Sequence, residues 1–69
     1  MLEFKQKEND PIALCDLLKI MRLCANGAEA KHVISEGLVK VDGQVELRKR
    51  AKIRVGQIVE YKTEKIKVI

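Results

Sequence analysis

Five basic side chains fall within seven residues, Arg48, Lys49, Arg50, Lys52 and Arg54, with no acid among them. At the two-residue period of a strand, Arg50, Lys52 and Arg54 share one face, while Ala51, Ile53 and Val55 point the other way. Such a ladder suits a row of phosphates, whose neutralisation would dominate affinity and make it strongly salt-dependent. Lys31 and His32 fall on the polar arc of a helical pattern, and Lys40 on the polar side of the strand pattern after it. Together these eight residues are the candidate binding set. The same ladder also fits an edge strand kept soluble by charge.

Catalytic chemistry finds no comparable footing. There is no glycine-rich phosphate loop, no Gly-x-Ser-x-Gly and no paired cysteine and histidine. The carboxylates are interleaved with lysines, which suits surface charge better than an acid/base dyad. His32 is the one group that titrates near neutrality, and no orienting partner can be named for it. Cys15 and Cys24 lie nine residues apart, on roughly opposite sides of any single helix holding both, which disfavours a disulfide. With a single histidine they make no metal set, so they read as buried, reduced thiols. No enzyme, cofactor or metal is expected.

Charge is unevenly distributed. Residues 1–18 carry two lysines against four acids, residues 19–54 nine basic groups against four acids, and residues 55–69 three against two. The net charge of +4 is therefore concentrated in the middle and points to a polyanionic partner. Sixty-nine residues with 46% hydrophobic content bound one small domain with a modest core. The N-terminal stretch lacks an apolar leader and no run approaches ~20 apolar residues, so a soluble cytoplasmic protein without a membrane partner is expected.

Local signals place these residues on elements. Leu2–Lys5 alternates as a short edge strand. Asn9-Asp10-Pro11 predicts a helix start, with an Asx cap and Pro at the first helical position, and the helix should run to about Leu23. Leu14, Leu17, Leu18 and Met21 form its buried stripe, widened by Ile20 or Ala13. Asn26 and Glu29 predict the cap of a second helix, which buries Ala30, Val33 and Ile34 and stops at Gly37. Leu38–Val41 then reads as a strand. Asp42-Gly43 favours a type I′ turn, with Gln44–Leu47 pairing back. Gly56 marks a turn, and Ile58–Tyr61 and Ile66–Ile69 are further strands, with Thr63-Glu64 in their connection. The expectation is one α+β domain: two short helices packed against a small, mainly antiparallel sheet. The unit from Ala30 to Gly43 frames the binding surface.

What is missing narrows the polyanion. Single-strand binders stack bases on aromatic side chains, and Phe4 and Tyr61 are the only aromatics. No long helix carries the Arg/Asn/Gln pattern of major-groove readers. A basic surface without stacking residues fits structured, helical RNA recognised by backbone and shape.

With these residues assembled, the chain resembles the S4 RNA-binding domain, the αL module, over about residues 13–59. Leu14, Leu17, Leu18 and Leu23 match the leucine pattern of the family's first helix. Ala30, Ile34, Gly37, Val39, Val41 and Gly43 match its second helix and following strand, with Val41-Asp42-Gly43 where the family has Val-Asn-Gly. Ile53-Arg54-Val55-Gly56-Gln57 stands for a later Val-x-x-Gly-Asp. The ordered set with its spacing is specific, although no single match is. Two departures matter: Asn26-Gly27 replaces the family's Ser-Arg, and Ala13-Leu14-Cys15 its Arg-Leu-Asp. The Asn-Gly-x-Glu-Ala-Lys run is similar to small free-standing bacterial S4-like proteins, the YbcJ-like group.

That resemblance implies a non-enzymatic binder of structured RNA, ribosomal or tRNA-like, with Lys31 and the Arg48–Lys52 cluster supplying anionic contacts. A monomer is expected, with ribosome-associated proteins as further partners. The rival reading is a protein-interaction module whose basic face meets an acidic partner. Double-stranded DNA is a third.

Overall fold

The computed structural model describes residues 1–6 and 10–69. Seven strands and two helices follow in the order β1 (Leu2–Phe4), β2 (Ile12–Ala13), α1 (Leu14–Ile20), α2 (Gly27–Ser35), β3 (Val39–Val41), β4 (Gln44–Val45), β5 (Lys52–Ile53), β6 (Ile58–Tyr61) and β7 (Glu64–Val68). Five strands form one sheet in the order β1-β7-β6-β3-β4, and β2 pairs with β5 in a second. Every pairing is antiparallel except β1 with β7. The expected α+β architecture of two helices on a mainly antiparallel sheet is the one observed.

The first helix begins later than the Asp-Pro signal predicts. Pro11 lies outside it, Ala13 is its N-cap without a side-chain hydrogen bond, and Asn9 lies outside the described residues. Long-range pairing overrides the local cap. Ile12 sits opposite Ile53 and Ala13 opposite Lys52, so the chain stays extended until Leu14. The helix also ends earlier, at Ile20. Arg22 adopts φ 61°, and Leu23 N–H reaches back to Leu18 C=O at 3.0 Å while Arg22 N–H reaches Lys19 C=O at 3.1 Å. This is a Schellman closure with arginine in the place glycine normally takes.

The second helix follows the local signals. Asn26 Oδ1 accepts from Glu29 N–H at 2.8 Å, and Gly37, at φ 76°, closes the helix with Gly37 N–H to Ile34 C=O and Leu38 N–H to Val33 C=O. Asp42 and Gly43 take φ 52° and 83°, as a type I′ turn requires. Beyond it only Gln44–Val45 pairs as a strand; Glu46 N–H still reaches Val39 C=O at 3.0 Å, and Leu47 leaves the ladder, 59% exposed. The last hairpin turns at Lys62-Thr63, not Thr63-Glu64, because Glu64 already pairs with Tyr61.

One apolar cluster joins both helices to one face of the sheet. Leu14, Leu17, Leu18, Ile34, Val39, Val59, Ile66 and Val68 are fully out of water. Ala13 widens the α1 stripe, whereas Ile20 is 52% exposed. Cys15 and Cys24 are free and buried, and burial pushes the Cys24 thiol up. Val55 also departs from the alternation and is 60% exposed, because the chain has entered the turn at Gly56, φ 95°.

The two helix ends yield opposite expectations for gaining and for losing a glycine. Arg22→Gly relieves a left-handed arginine that is exposed, and should raise unfolding free energy by about 1 kcal/mol. Gly37→Ala should lower it by a similar ~1 kcal/mol. Urea denaturation of both variants measures the two signs.

Candidate nucleic-acid interface

The basic stretch is held by its backbone. Leu14 N–H donates to Ala51 C=O at 2.9 Å and Cys15 N–H to Lys49 C=O at 3.1 Å. Two of the donors that any helix start leaves unpaired are thereby satisfied. Ala51 and Ile53 go into the core, which leaves Arg50, Lys52 and Arg54 exposed on the outside. The segment is not one continuous ladder, however. Ala51 N–H to Arg48 C=O closes a turn before the two-residue β5, and Gln57 N–H to Arg54 C=O closes another after it. The cations fan outward from two turns and a short strand.

Arg48, Arg50, Lys52 and Arg54 line an open hollow of about 490 Å³ floored by Ala51. The downstream turn is braced: Gln57 Oε1 accepts from Arg54 N–H at 2.8 Å, Gln57 Nε2 donates to Asp42 Oδ2 at 3.3 Å, and Asp42 Oδ1 accepts from Ile58 N–H at 3.0 Å. Arg54 is thus tied to the β3–β4 turn. Lys49 is exposed on the turn leading into the hollow but does not line it.

Arg48 differs from its neighbours. Its Nε and Nη2 donate to the two carboxylate oxygens of Glu46, each at 3.0 Å, and its backbone N–H adds a third bond at 3.1 Å. These hydrogen bonds hold the Glu46 carboxyl below the usual carboxylate range and raise the Arg48 guanidinium. A carboxyl that titrates lower when folded stabilises the fold at neutral pH, and that contribution is lost as pH falls through its lowered pKa. Glu46 therefore offsets one of the hollow's charges. The sequence reading missed it, although a Glu two residues before an Arg in an extended segment shares its face.

The remaining candidates lie elsewhere. Lys31 and His32 are exposed on α2 and do not line this hollow. Lys40 leaves the sheet face opposite the core, between Val45 on β4 and Glu60 on β6, with Lys65 beyond Glu60. Neighbours in such a row stand ~4.5–5.5 Å apart at Cβ, so signs alternate there rather than accumulate. Among the described residues no cluster of three or more metal-ligating side chains occurs, and no helix is long and apolar enough to cross a membrane.

A family model described as the S4 domain matches residues 4–69. The chain belongs to the S4 domain family. This S4 chain is 45% identical over 69 residues to the Escherichia coli (strain K12) protein named "Putative RNA-binding protein YbcJ", covering 100% of this chain and 99% of that one. An uncharacterised YbcJ of Shigella flexneri matches with the same identity and coverage. The solution structure of Escherichia coli YbcJ, described as revealing an αL motif involved in RNA-binding, superposes with a TM-score of 0.77. That match covers 100% of this S4 chain and 87% of the other.

Releasing Arg48 should strengthen the groove. Glu46→Gln is expected to tighten binding of a polyanion and to steepen the dependence of log K on log salt by up to about one unit. Titrations of polyphosphate at several salt concentrations measure that slope.

Proposed function

We propose that this chain is a non-enzymatic binder of structured RNA, ribosomal or tRNA-like, that recognises its target by backbone and shape. The observation that carries the reading is the hollow lined by Arg48, Arg50, Lys52 and Arg54, four cations presented by a segment whose backbone is locked to α1. Phosphates along one edge of a helical RNA would sit against it, with Lys49 at its end. Lys31, His32 and Lys40 would touch more distant phosphates of a larger RNA, or an adjoining one. Tyr61 is 5% exposed and packed in the core, so it is no platform for stacked bases. The name of the Escherichia coli relative and the description of its solution structure support RNA as the polyanion. The reading includes a cytoplasmic monomer formed by the chain as one domain.

A second reading has its own observation. Leu38, Val45 and Leu47 are each more than half exposed, and Val45 stands directly opposite Lys40 on the open sheet face. Aliphatic residues serve a protein partner better than a phosphate backbone, and an acidic partner would answer Lys40. Capture of partners with and without ribonuclease separates the readings, since only protein-mediated partners survive the nuclease.

The RNA reading predicts that Arg50→Glu combined with Lys52→Glu weakens binding to a structured RNA at least about tenfold at physiological salt. The circular dichroism spectrum should stay unchanged, because both side chains are exposed. Unchanged affinity in the folded double variant would reject the assigned surface.

A further inference from the structure

β4 is the outer strand of the five-stranded sheet, and its far side pairs with no strand among the described residues. Glu46 N–H donates to Val39 C=O at 3.0 Å, so the backbone at that position faces β3. Antiparallel pairing alternates, and the N–H and C=O of Val45, one position back, therefore face the open edge. Sheet edges are ordinarily guarded by charged side chains or proline. This one instead carries Val45 and Leu47, each more than half exposed.

These side chains belong to one patch. A Cβ added at Gly37 would lie 3.7 Å from Val45 Cγ1 and 3.9 Å from Leu47 Cδ2, so both close over the same glycine. Leu38, also more than half exposed, follows that glycine directly. Single exposed aliphatics are ordinary, whereas three gathered at an unpaired strand edge mark an interaction surface.

Charge selects the occupant. Val45 stands opposite Lys40, and the row across the sheet continues to Glu60 and Lys65. That row holds two lysines for one acid, and none of the three has an ion pair among the described residues. Glu46 is already engaged by Arg48. A second copy of this chain carries the same +4 and would bring lysine toward lysine. An RNA backbone would offer nothing apolar to Leu38, Val45 and Leu47. A polypeptide strand bearing acids and an aliphatic side chain answers the backbone, the patch and the lysines together. We propose that the β4 edge docks an extended, acidic segment of a partner protein, which adds to the sheet as a further strand beside Val45. In such strand addition main-chain hydrogen bonds hold the segment and alternate side chains select it. The proposal rests on the protein-partner reading above and gives that partner a binding mode.

A blocked peptide, Thr-Glu-Thr-Val-Thr-Glu-Thr, tests the edge, because its valine and both glutamates share one strand face. Titrated into the ¹⁵N-labelled chain, it should shift the Val45 amide and slow that amide's exchange with solvent. Serine in place of the peptide's valine should weaken binding about fivefold. Lysine in place of both glutamates should abolish it. Val45→Pro removes the outward donor at an edge position that tolerates proline, and should abolish binding with the β6–β7 signals unmoved. Leu47→Ser leaves the edge backbone whole and should weaken binding about fivefold. Equal affinity of the valine and serine peptides would overturn the proposal. Shifts at Lys40 and Lys65 with the Val45 amide unchanged would overturn strand addition and leave an acidic partner lying on the sheet face. Shifts confined to Arg50, Lys52 and Arg54 would also overturn it, with the peptide acting only as a polyanion in the basic groove.

Discussion

Two backbone hydrogen bonds, Leu14 N–H to Ala51 C=O and Cys15 N–H to Lys49 C=O, tie this small fold together. A helix start needs acceptors for its first donors, and a seven-residue helix has little stability of its own. Here a segment far along the chain supplies them through its main chain. The bonds bring Ala51 and Ile53 into the core beside Leu14 and leave the basic side chains no direction but outward. Helix stability and cation placement are the same interaction seen from its two ends. The cations are preorganised in consequence, and a bound polyanion has less backbone entropy to freeze out.

Charge is focused by subtraction as well as by clustering. On the open sheet face, Lys40 stands beside Glu60 and Lys67 beside Glu3, so no single sign builds up. Around the basic groove the one partner for a cation is Glu46, which answers Arg48 and leaves Arg50, Lys52 and Arg54 without an ion pair among the described residues. Positive charge is therefore concentrated on a segment whose backbone is held against α1.

What could be read from the sequence follows the range of the interactions. Asn26, Gly37 and Asp42-Gly43 act on residues within a few positions of themselves, and each performs the role its type predicts. The exposure of the eight basic candidates also follows, since alternation and helical spacing are local. The start of α1 does not, because Ile12 and Ala13 are captured by a strand forty residues on, and pairing there outweighs the Asp-Pro signal. Arg22 conceals a helix end because it adopts a conformation for which arginine carries no signal. At the site, clustering of Arg48 to Arg54 was visible as contiguity. The separation of Lys40 from it depends on how the sheets are assembled.

The central claim is that the basic segment is docked on α1 and not a loose charged loop. Amide hydrogen exchange of Leu14 and Cys15 in the free protein tests it most directly. Both amides should be protected to an extent comparable to core amides such as Val59 and Ile66. Exchange at the rate of an open loop, with the β6–β7 amides still protected, would contradict it.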